Sequence, residues 1–281
     1  MMKRWIILSA KSKLPISNIS KIGPAMKNPL LSFVVTLSFL IGSDSSFQEG
    51  VTAYESRAEK AGGMKAHPDQ INKAIVAFKK AKENPNTELD AGVYLLKSYY
   101  YKGKYVAQDD ETKKSVFNLG KALGEELIEK SPESAAVRYW YLVNLGSWAE
   151  VYGIIAAARE GVADLMREHS EKIIELDPEY SDGGGYFMLG AVHFKSPYIP
   201  FILSWPSNDD AVYFLTNAYE TGVATPSQTV YLARALHKDG QKDQAKKLLK
   251  DLIALPLSET APVEDSEQHQ LAKGFLADWE K

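Results

Sequence analysis

The residues that could perform catalysis or bind a metal are scattered along this sequence. No histidine has a second histidine three or four residues away, so the helical spacing of a zinc pair does not occur. Cysteine is absent, which excludes a thiol nucleophile, a thiolate metal site and a disulfide. Neither a G-x-x-x-x-G-K-[ST] phosphate loop nor a G-x-S-x-G elbow is present. We therefore expect no enzyme, no catalytic residue, no metal site and no cofactor.

Two further polar or glycine-rich stretches suit structural roles better than chemical ones. Gly183, Gly184 and Gly185 follow a helical pattern rather than a strand, so they predict a turn that lets Tyr186 pack closely, not a phosphate site. His169 lies beside acidic residues in a helical pattern, and we expect it on a solvated face.

Aromatic residues between positions 138 and 152 form the strongest candidate for a binding site. Trp140, Asn144, Trp148 and Tyr152 recur at every fourth residue, which places them along one face of a helix. Such a stripe is usually core, but a buried amide needs partners, so Asn144 also suits an internal groove. The candidate ligand-binding residues are Arg138, Trp140, Asn144, Trp148, Tyr152, Tyr186 and Trp205.

Residues on either side of that stripe could complete a binding groove. Arg138 stands near its beginning and could reach an anionic group at the mouth of a groove. The segment 195–206, which contains Trp205, is unusually apolar for a loop. It would either cover the interface between repeats or form a lip over a pore or partner surface.

Helical repeats must position these residues. Leu142, Leu145, Gly146 and Ala149 follow the spacing of the first helix of a tetratricopeptide repeat, and Tyr186, Leu189, Gly190 and His193 repeat it. The glycine is small because a second helix is expected to cross closely there. Ala74, Phe78 and Ala81 match the second helix of such a repeat. No stretch predicts a strand, so the fold class is all-α, with degenerate repeats stacked as a solenoid.

Prolines follow the helical patterns at nearly regular intervals. Helical patterns end before Pro85, Pro132, Pro178, Pro226 and Pro256, at intervals of 47, 46, 48 and 30 residues. Residues 257–268 predict an exposed connection, with Asp265 as the N-cap of a final helix. We expect that helix to cover the end of the solenoid, because an uncovered last repeat would expose its core.

The N-terminal segment differs from the rest in charge. Residues 1–43 contain six basic and no acidic residues, and 30–42 form an apolar run of 13 residues, which predicts a signal peptide or N-terminal anchor at 1–45, with translation starting at Met26. Residues 46–281 then form one helical-repeat domain. Without residues 1–43 the chain carries 27 basic and 36 acidic residues, a net charge of −9, which argues against nucleic acid and anionic lipid as partners.

The middle of the chain resembles the TatT family, the tetratricopeptide-like T component of some TRAP transporters. The resemblance rests on the segments 138–146 and 175–180, on Gly184-Gly185-Tyr186 and on Leu189-Gly190. It implies a periplasmic all-α protein that can form a homotrimer, that associates with the TRAP substrate-binding protein and that holds or passes a small organic ligand. This chain lacks the cysteine on which lipidation would depend.

Other functions remain open beside that resemblance. The same helical repeats suit a general protein-interaction scaffold of the cell envelope, which would bind a peptide or helix in its concave groove. Microtubule-dynamics regulators also share similar helical repeats, but the N-terminal segment favours the bacterial family.

Overall fold

The structure, a computed structural model, describes residues 45–281, and every regular element in that range is helical. A π-helical turn, Lys102–Val106, continues the third helix. The α-helices are α1 (Ser45–Glu55), α2 (Pro68–Ala81), α3 (Glu88–Tyr101), α4 (Asp110–Lys130), α5 (Ala135–Tyr152), α6 (Ile154–Arg159), α7 (Val162–Leu176), α8 (Tyr180–Lys195), α9 (Asn208–Glu220), α10 (Pro226–Lys238), α11 (Lys242–Ala254) and α12 (Pro262–Trp279).

These helices pack as consecutive pairs: α1 with α2, α3 with α4, α5 with α7, α8 with α9 and α10 with α11. The first helices of successive pairs also contact one another, from α3 to α5, α5 to α8 and α8 to α10. Stacked helix pairs of this kind are the architecture of a tetratricopeptide-like solenoid. The predicted fold class, all-α with stacked degenerate repeats, is therefore confirmed.

Local sequence signals explain where several helices begin and end. Ser134 caps α5 by accepting a hydrogen bond from the backbone N–H of Val137. Thr225 and Gln228 form a reciprocal capping box at α10, whose first residue is Pro226. The second helices of the pairs end before the predicted prolines because proline cannot continue a helix.

Only one of the two predicted glycine crossings exists. A Cβ atom on Gly190 would lie 2.6 Å from Cγ of Leu215, so α9 does cross α8 closely at this point. At Gly146 the nearest atom would be Cε of Met166 at 3.7 Å, which is ordinary contact. The prediction is confirmed for Gly190 and wrong for Gly146, because α7 leaves room beside α5.

The glycine triplet is a bend at the start of α8. Gly183 has a φ of 79°, and the two residues before it are also left-handed. Gly184 and Gly185 then face Tyr139 and the side chains of Ile173 and Ile174 closely. The predicted turn is present, and residues of α5, of α7 and of the end of α9 pack against it.

Helix α12 begins earlier than predicted and does more than cover the last repeat. It starts at Pro262, and Asp265 is buried inside its first turn, where its carboxylate accepts from the backbone N–H of Ser258. Val263 belongs to the apolar cluster of α1, α2 and α3, whereas Ala272 and Leu276 belong to that of α9, α10 and α11. One helix therefore connects the cores of the first and last repeats.

The predicted signal peptide or anchor and the predicted start at Met26 lie outside the described residues. Within residues 45–281, no helix is both long enough and apolar enough to cross a membrane.

Candidate functional site

Arg138 is buried at the junction of α5 with the preceding loop and α7. Its guanidinium donates to the carbonyl oxygen of Pro132 from Nε at 2.9 Å and from Nη2 at 2.7 Å. Nη1 lies 2.6 Å from Nδ1 of His169, and burial followed by the charge of Arg138 lowers the pKa of that histidine. The predicted solvated position of His169 is thus wrong, since the ring is half-buried and paired.

Asn144 is fully buried between α5 and α3. Its Nδ2 donates to the carbonyl oxygens of Leu96 at 3.0 Å and Trp140 at 2.8 Å. The amide lies so close to Gly120 that a Cβ atom there would collide with it. These contacts tie three helices together and correspond to the core alternative for this residue.

Trp148 and Tyr152 turn toward α4. Their ring centroids lie 4.4 Å apart, and the rings are stacked. The indole Nε1 of Trp148 donates to Oδ1 of Asn118 at 2.8 Å. Nδ2 of Asn118 donates to the hydroxyl of Tyr152 at 2.8 Å. Trp148 is buried, and Tyr152 is half-buried.

Trp205 lies on another part of the molecule. Its Nε1 donates to Oδ1 of Asp164 at 2.9 Å, and the guanidinium of Arg167 lies 4.6 Å from its ring centroid, so the segment after α8 packs on the beginning of α7. Tyr186 is half-buried on α8. The seven predicted residues therefore do not converge on one pocket, and their role in binding a ligand stays a prediction.

The structure instead brings half-buried aromatic and basic side chains together on the side formed by the first helices of the pairs. We call this side the inner face and define it by Tyr54, Tyr94, Lys97, Trp140, Phe187, Phe194, Tyr231 and Arg234, together with the buried Arg57, whose guanidinium covers Tyr54 at the N-terminal end. Of the seven predicted residues, Trp140 is the one that belongs to it.

Cations lie over the aromatic rings of the inner face. Nζ of Lys97 is 4.5 Å from the ring centroid of Tyr94 and 5.4 Å from that of Trp140, which links α3 to α5. The guanidinium of Arg234 lies 5.6 Å from the centroid of Tyr231 and 4.8 Å from that of Phe194. Each such contact contributes about 0.5–1 kcal/mol where water reaches it and more where it does not.

Electrostatics at the N-terminal end of the inner face centre on Arg57. Its Nη2 lies 2.8 Å from Oε1 of Glu264 on α12, and its guanidinium covers the ring of Tyr54 at 4.6 Å. Burial raises the pKa of Tyr54 to about 12, partly offset by Arg57. Burial also lowers the pKa of Lys97, and the charge of Arg57 lowers it further. The positive charges of Arg57 and Lys97 thus lie close enough to influence each other.

Sequence reasoning missed the basic members of this face, although a signal for two of them exists. Lys97 follows Tyr94 by three residues and Arg234 follows Tyr231 by three, so each cation stands one helical turn from its ring. Arg57 offers no such signal, because its partner Glu264 is 207 residues away. Among residues 45–281, no group of three or more histidine, aspartate and glutamate side chains could hold a metal ion.

This fold and this face define a helical-repeat protein of the tetratricopeptide type. A thermophilic TPR protein from Thermus thermophilus has a similar structure, with a TM-score of 0.53 and 14% identity over 83% of this chain and 96% of that one. That likeness shows the fold alone.

The family is shown by sequence. The family model of regulator of microtubule dynamics protein 1-3 matches residues 59–202, about half of the chain, and the chain belongs to this family. Regulator of microtubule dynamics protein 3 of Xenopus laevis is 33% identical over 85 residues, which make up 30% of this chain. The match spans 18% of the length of that relative.

The family match overturns the resemblance to TatT. The predicted role in TRAP transport, the periplasmic location and the TRAP substrate-binding protein as partner are therefore wrong, and the implied homotrimer and small organic ligand are withdrawn with them. The residues behind the resemblance, such as Leu189-Gly190, lie at a helix crossing that stacked pairs of many families need. The alternative was a protein-interaction scaffold of the cell envelope. The comparisons support its helical-repeat fold.

Proposed function

We propose that this protein is a non-enzymatic interaction module that takes part in regulating microtubule dynamics and binds a protein partner on its inner face. The observation that carries the proposal is the family match over residues 59–202. That range includes α3, α5 and α8, which supply Tyr94, Lys97, Trp140, Phe187 and Phe194 to the inner face.

The composition of the inner face supports a protein as the partner. Tyrosine, tryptophan and arginine dominate the binding energy of protein interfaces, because they combine a large apolar surface with polar or charged groups. On the inner face these residues are half-buried, so their rings are held in place by the fold while part of their surface remains open. Cations beside the rings favour a partner with acidic as well as apolar side chains.

Adding the purified full-length chain to a cytoplasmic extract tests the proposal. Growth rate and catastrophe frequency of single microtubules are recorded by fluorescence microscopy as the concentration of the chain increases. We expect a dose-dependent change in at least one of them. Unchanged dynamics at every concentration, with a folded protein by circular dichroism, would refute the proposed function.

A further inference from the structure

Helix α12 crosses from the last repeat of the solenoid to the first. Its 18 residues span about 27 Å at 1.5 Å per residue. The C-terminal half docks on α10, where the ring of Trp279 stacks on His237 at 3.9 Å and Phe275 lies under Arg234 at 4.7 Å. The N-terminal half reaches Arg57 and the π-helical turn after α3. The chain thus lays its own helix against the inner face.

The N-terminal half of α12 contacts this face through acidic groups and through Val263, which is buried in the core of the first repeat. Oε1 of Glu264 accepts from Nε of Arg57 at 3.0 Å and from Nη2 at 2.8 Å. Glu267 is held by Lys104 at 2.9 Å and by the hydroxyl of Tyr105 at 3.0 Å. Charge-assisted hydrogen bonds of this kind are stronger than neutral ones. The structure therefore shows which chemistry this end of the inner face accepts: carboxylates on a helix.

The same contact is incompletely satisfied. Buried side-chain oxygens without a hydrogen-bond partner among the described residues include Oε2 of Glu264 and Oε1 of Gln268. A buried acceptor without a partner destabilises the contact that buries it. A cavity of about 220 Å³ lies beside Glu267, with Lys104 and Lys113 in its wall. The polar groups of the first two turns of α12 are thus held with appropriate charges but less than full complementarity, whereas Val263 is fully packed.

We propose that the first two turns of α12 occupy the binding site for an acidic helical segment of a partner protein, and that the partner displaces them. Arg57, Lys104 and Tyr105 bind the carboxylates of the partner in place of Glu264 and Glu267, and an apolar side chain of the partner takes the place of Val263. The C-terminal half of α12 keeps its contacts with α10 during the exchange, because Leu276 and Trp279 are packed there. This inference rests on the proposed function as far as it takes the inner face as a protein-binding surface.

Competition with a labelled peptide tests the exchange. The probe is a synthetic peptide with the sequence of residues 260–274, and the full-length chain is titrated while the anisotropy of the label is read. In the parent chain the site is filled by α12, so binding is weak. In the double variant Glu264→Gln, Glu267→Gln the first two turns lose the two carboxylates that bind Arg57 and Lys104, so they leave the site more often. We expect the apparent affinity for the peptide to rise about tenfold or more. The apparent affinity is reduced by the fraction of chains in which α12 fills the site, and the variant lowers that fraction.

Two lysines in the same π-helical turn give a matched pair of controls. Lys104 binds Glu267, whereas Lys102 pairs with no carboxylate among the described residues. In the double-variant background, Lys104→Glu should reduce peptide binding about tenfold, and Lys102→Glu should leave it unchanged. A peptide carrying Glu267→Lys should regain binding to the Lys104→Glu chain. Circular dichroism and thermal melts establish that each chain is folded.

Equal binding to the parent and the double variant would overturn the proposal, as would equal effects of the two lysine substitutions. Light scattering on the double variant shows whether a second copy of the chain fills the site instead. A dimer that excludes the peptide would mean that α12 of the second copy is the occupant. That outcome would also overturn the proposal. The outcome is separable from that of the proposed function. A chain that binds the peptide as expected but leaves microtubules unchanged keeps this inference and refutes the proposed role.

Discussion

Arg57 and Glu264 stand 207 residues apart in the chain and form an ion pair of 2.8 Å between the end of α1 and the beginning of α12. Nη2 of the same guanidinium donates to the carbonyl oxygen of Thr260 at 2.8 Å. The hydroxyl of Tyr101 in turn donates to the carbonyl oxygen of Arg57 at 3.2 Å. One arginine thus joins the first repeat to the last helix of the chain.

Glu264→Gln should lower the free energy of unfolding by about 2 kcal/mol, because a hydrogen bond to a charged group contributes about 1.5–3 kcal/mol and Arg57 stays largely buried. Chemical denaturation followed by circular dichroism measures this change. Glu259→Gln, at an exposed position of the connection before α12, removes the same charge and should change stability by less than about 0.5 kcal/mol. Equal losses in the two variants would show that the ion pair contributes nothing specific.

Asn144→Leu should destabilise the protein by about 1 kcal/mol, because it removes the hydrogen bond from the buried amide on α5 to the carbonyl oxygen of Leu96 on α3. Asn217→Leu is the control, since Asn217 donates to a carbonyl oxygen four residues earlier, that of Tyr213, on the exposed side of α9. Thermal melts of the two variants decide the matter. A fully stable Asn144→Leu protein would mean that the amide does not hold α3 and α5 together.

Two glycines in equivalent places of their repeats should respond oppositely to alanine. Gly190→Ala brings a Cβ atom to 2.6 Å from the Leu215 side chain and to 2.9 Å from its backbone nitrogen, and overpacking of this kind costs about 1–3 kcal/mol. Gly146→Ala meets nothing nearer than 3.7 Å and should gain up to about 1 kcal/mol of helix propensity. Denaturation midpoints that shift in the same direction would contradict the packing described for α8 and α9.

His169 should make stability depend on pH. Its folded pKa lies below the ordinary value of 6.5, because burial and then the charge of Arg138 disfavour the imidazolium form. The unfolded chain therefore takes up a proton first as pH falls, and the contribution of His169 is present above pH 6.5 and lost progressively below it. His169→Gln should flatten the decline in stability between about pH 7 and 5. An unchanged slope would refute this assignment.

The pattern of apolar residues was sufficient to predict the helical repeats, since spacing within one helix decides which side chains face its neighbour. The same spacing could not predict which of the neighbouring helices each side chain contacts. Trp140 and Asn144 were predicted to share one groove, yet Trp140 reaches the inner face and Asn144 points into the junction of α3 and α4. Positions separated by four residues drift around a helix by about 40°, because a turn holds 3.6 residues, and that drift is enough to separate the two environments.

The beginning of α12 illustrates a second limit of the sequence. Asp265 has the residue type of an N-cap, but Pro262 starts the helix. The carboxylate of Asp265 accepts a hydrogen bond from the backbone N–H of Ser258 instead. The contacts of Arg57, Glu264 and Glu267 arise from the return of α12 to the first repeat, which no local pattern encodes. The contacts between α12 and the first repeat could therefore be found only from the folded chain.

The inner face is where we propose that this protein acts on microtubule dynamics. The most direct measurement records catastrophe frequency and growth rate in cytoplasmic extract with the parent chain, Lys97→Glu and Lys250→Glu. Lys97 lies over two rings of the inner face, whereas Lys250 is exposed on α11 and carries the same charge change. We expect that Lys97→Glu loses the effect of the parent chain and that Lys250→Glu retains it. A folded Lys97→Glu protein with the full effect of the parent would contradict this expectation.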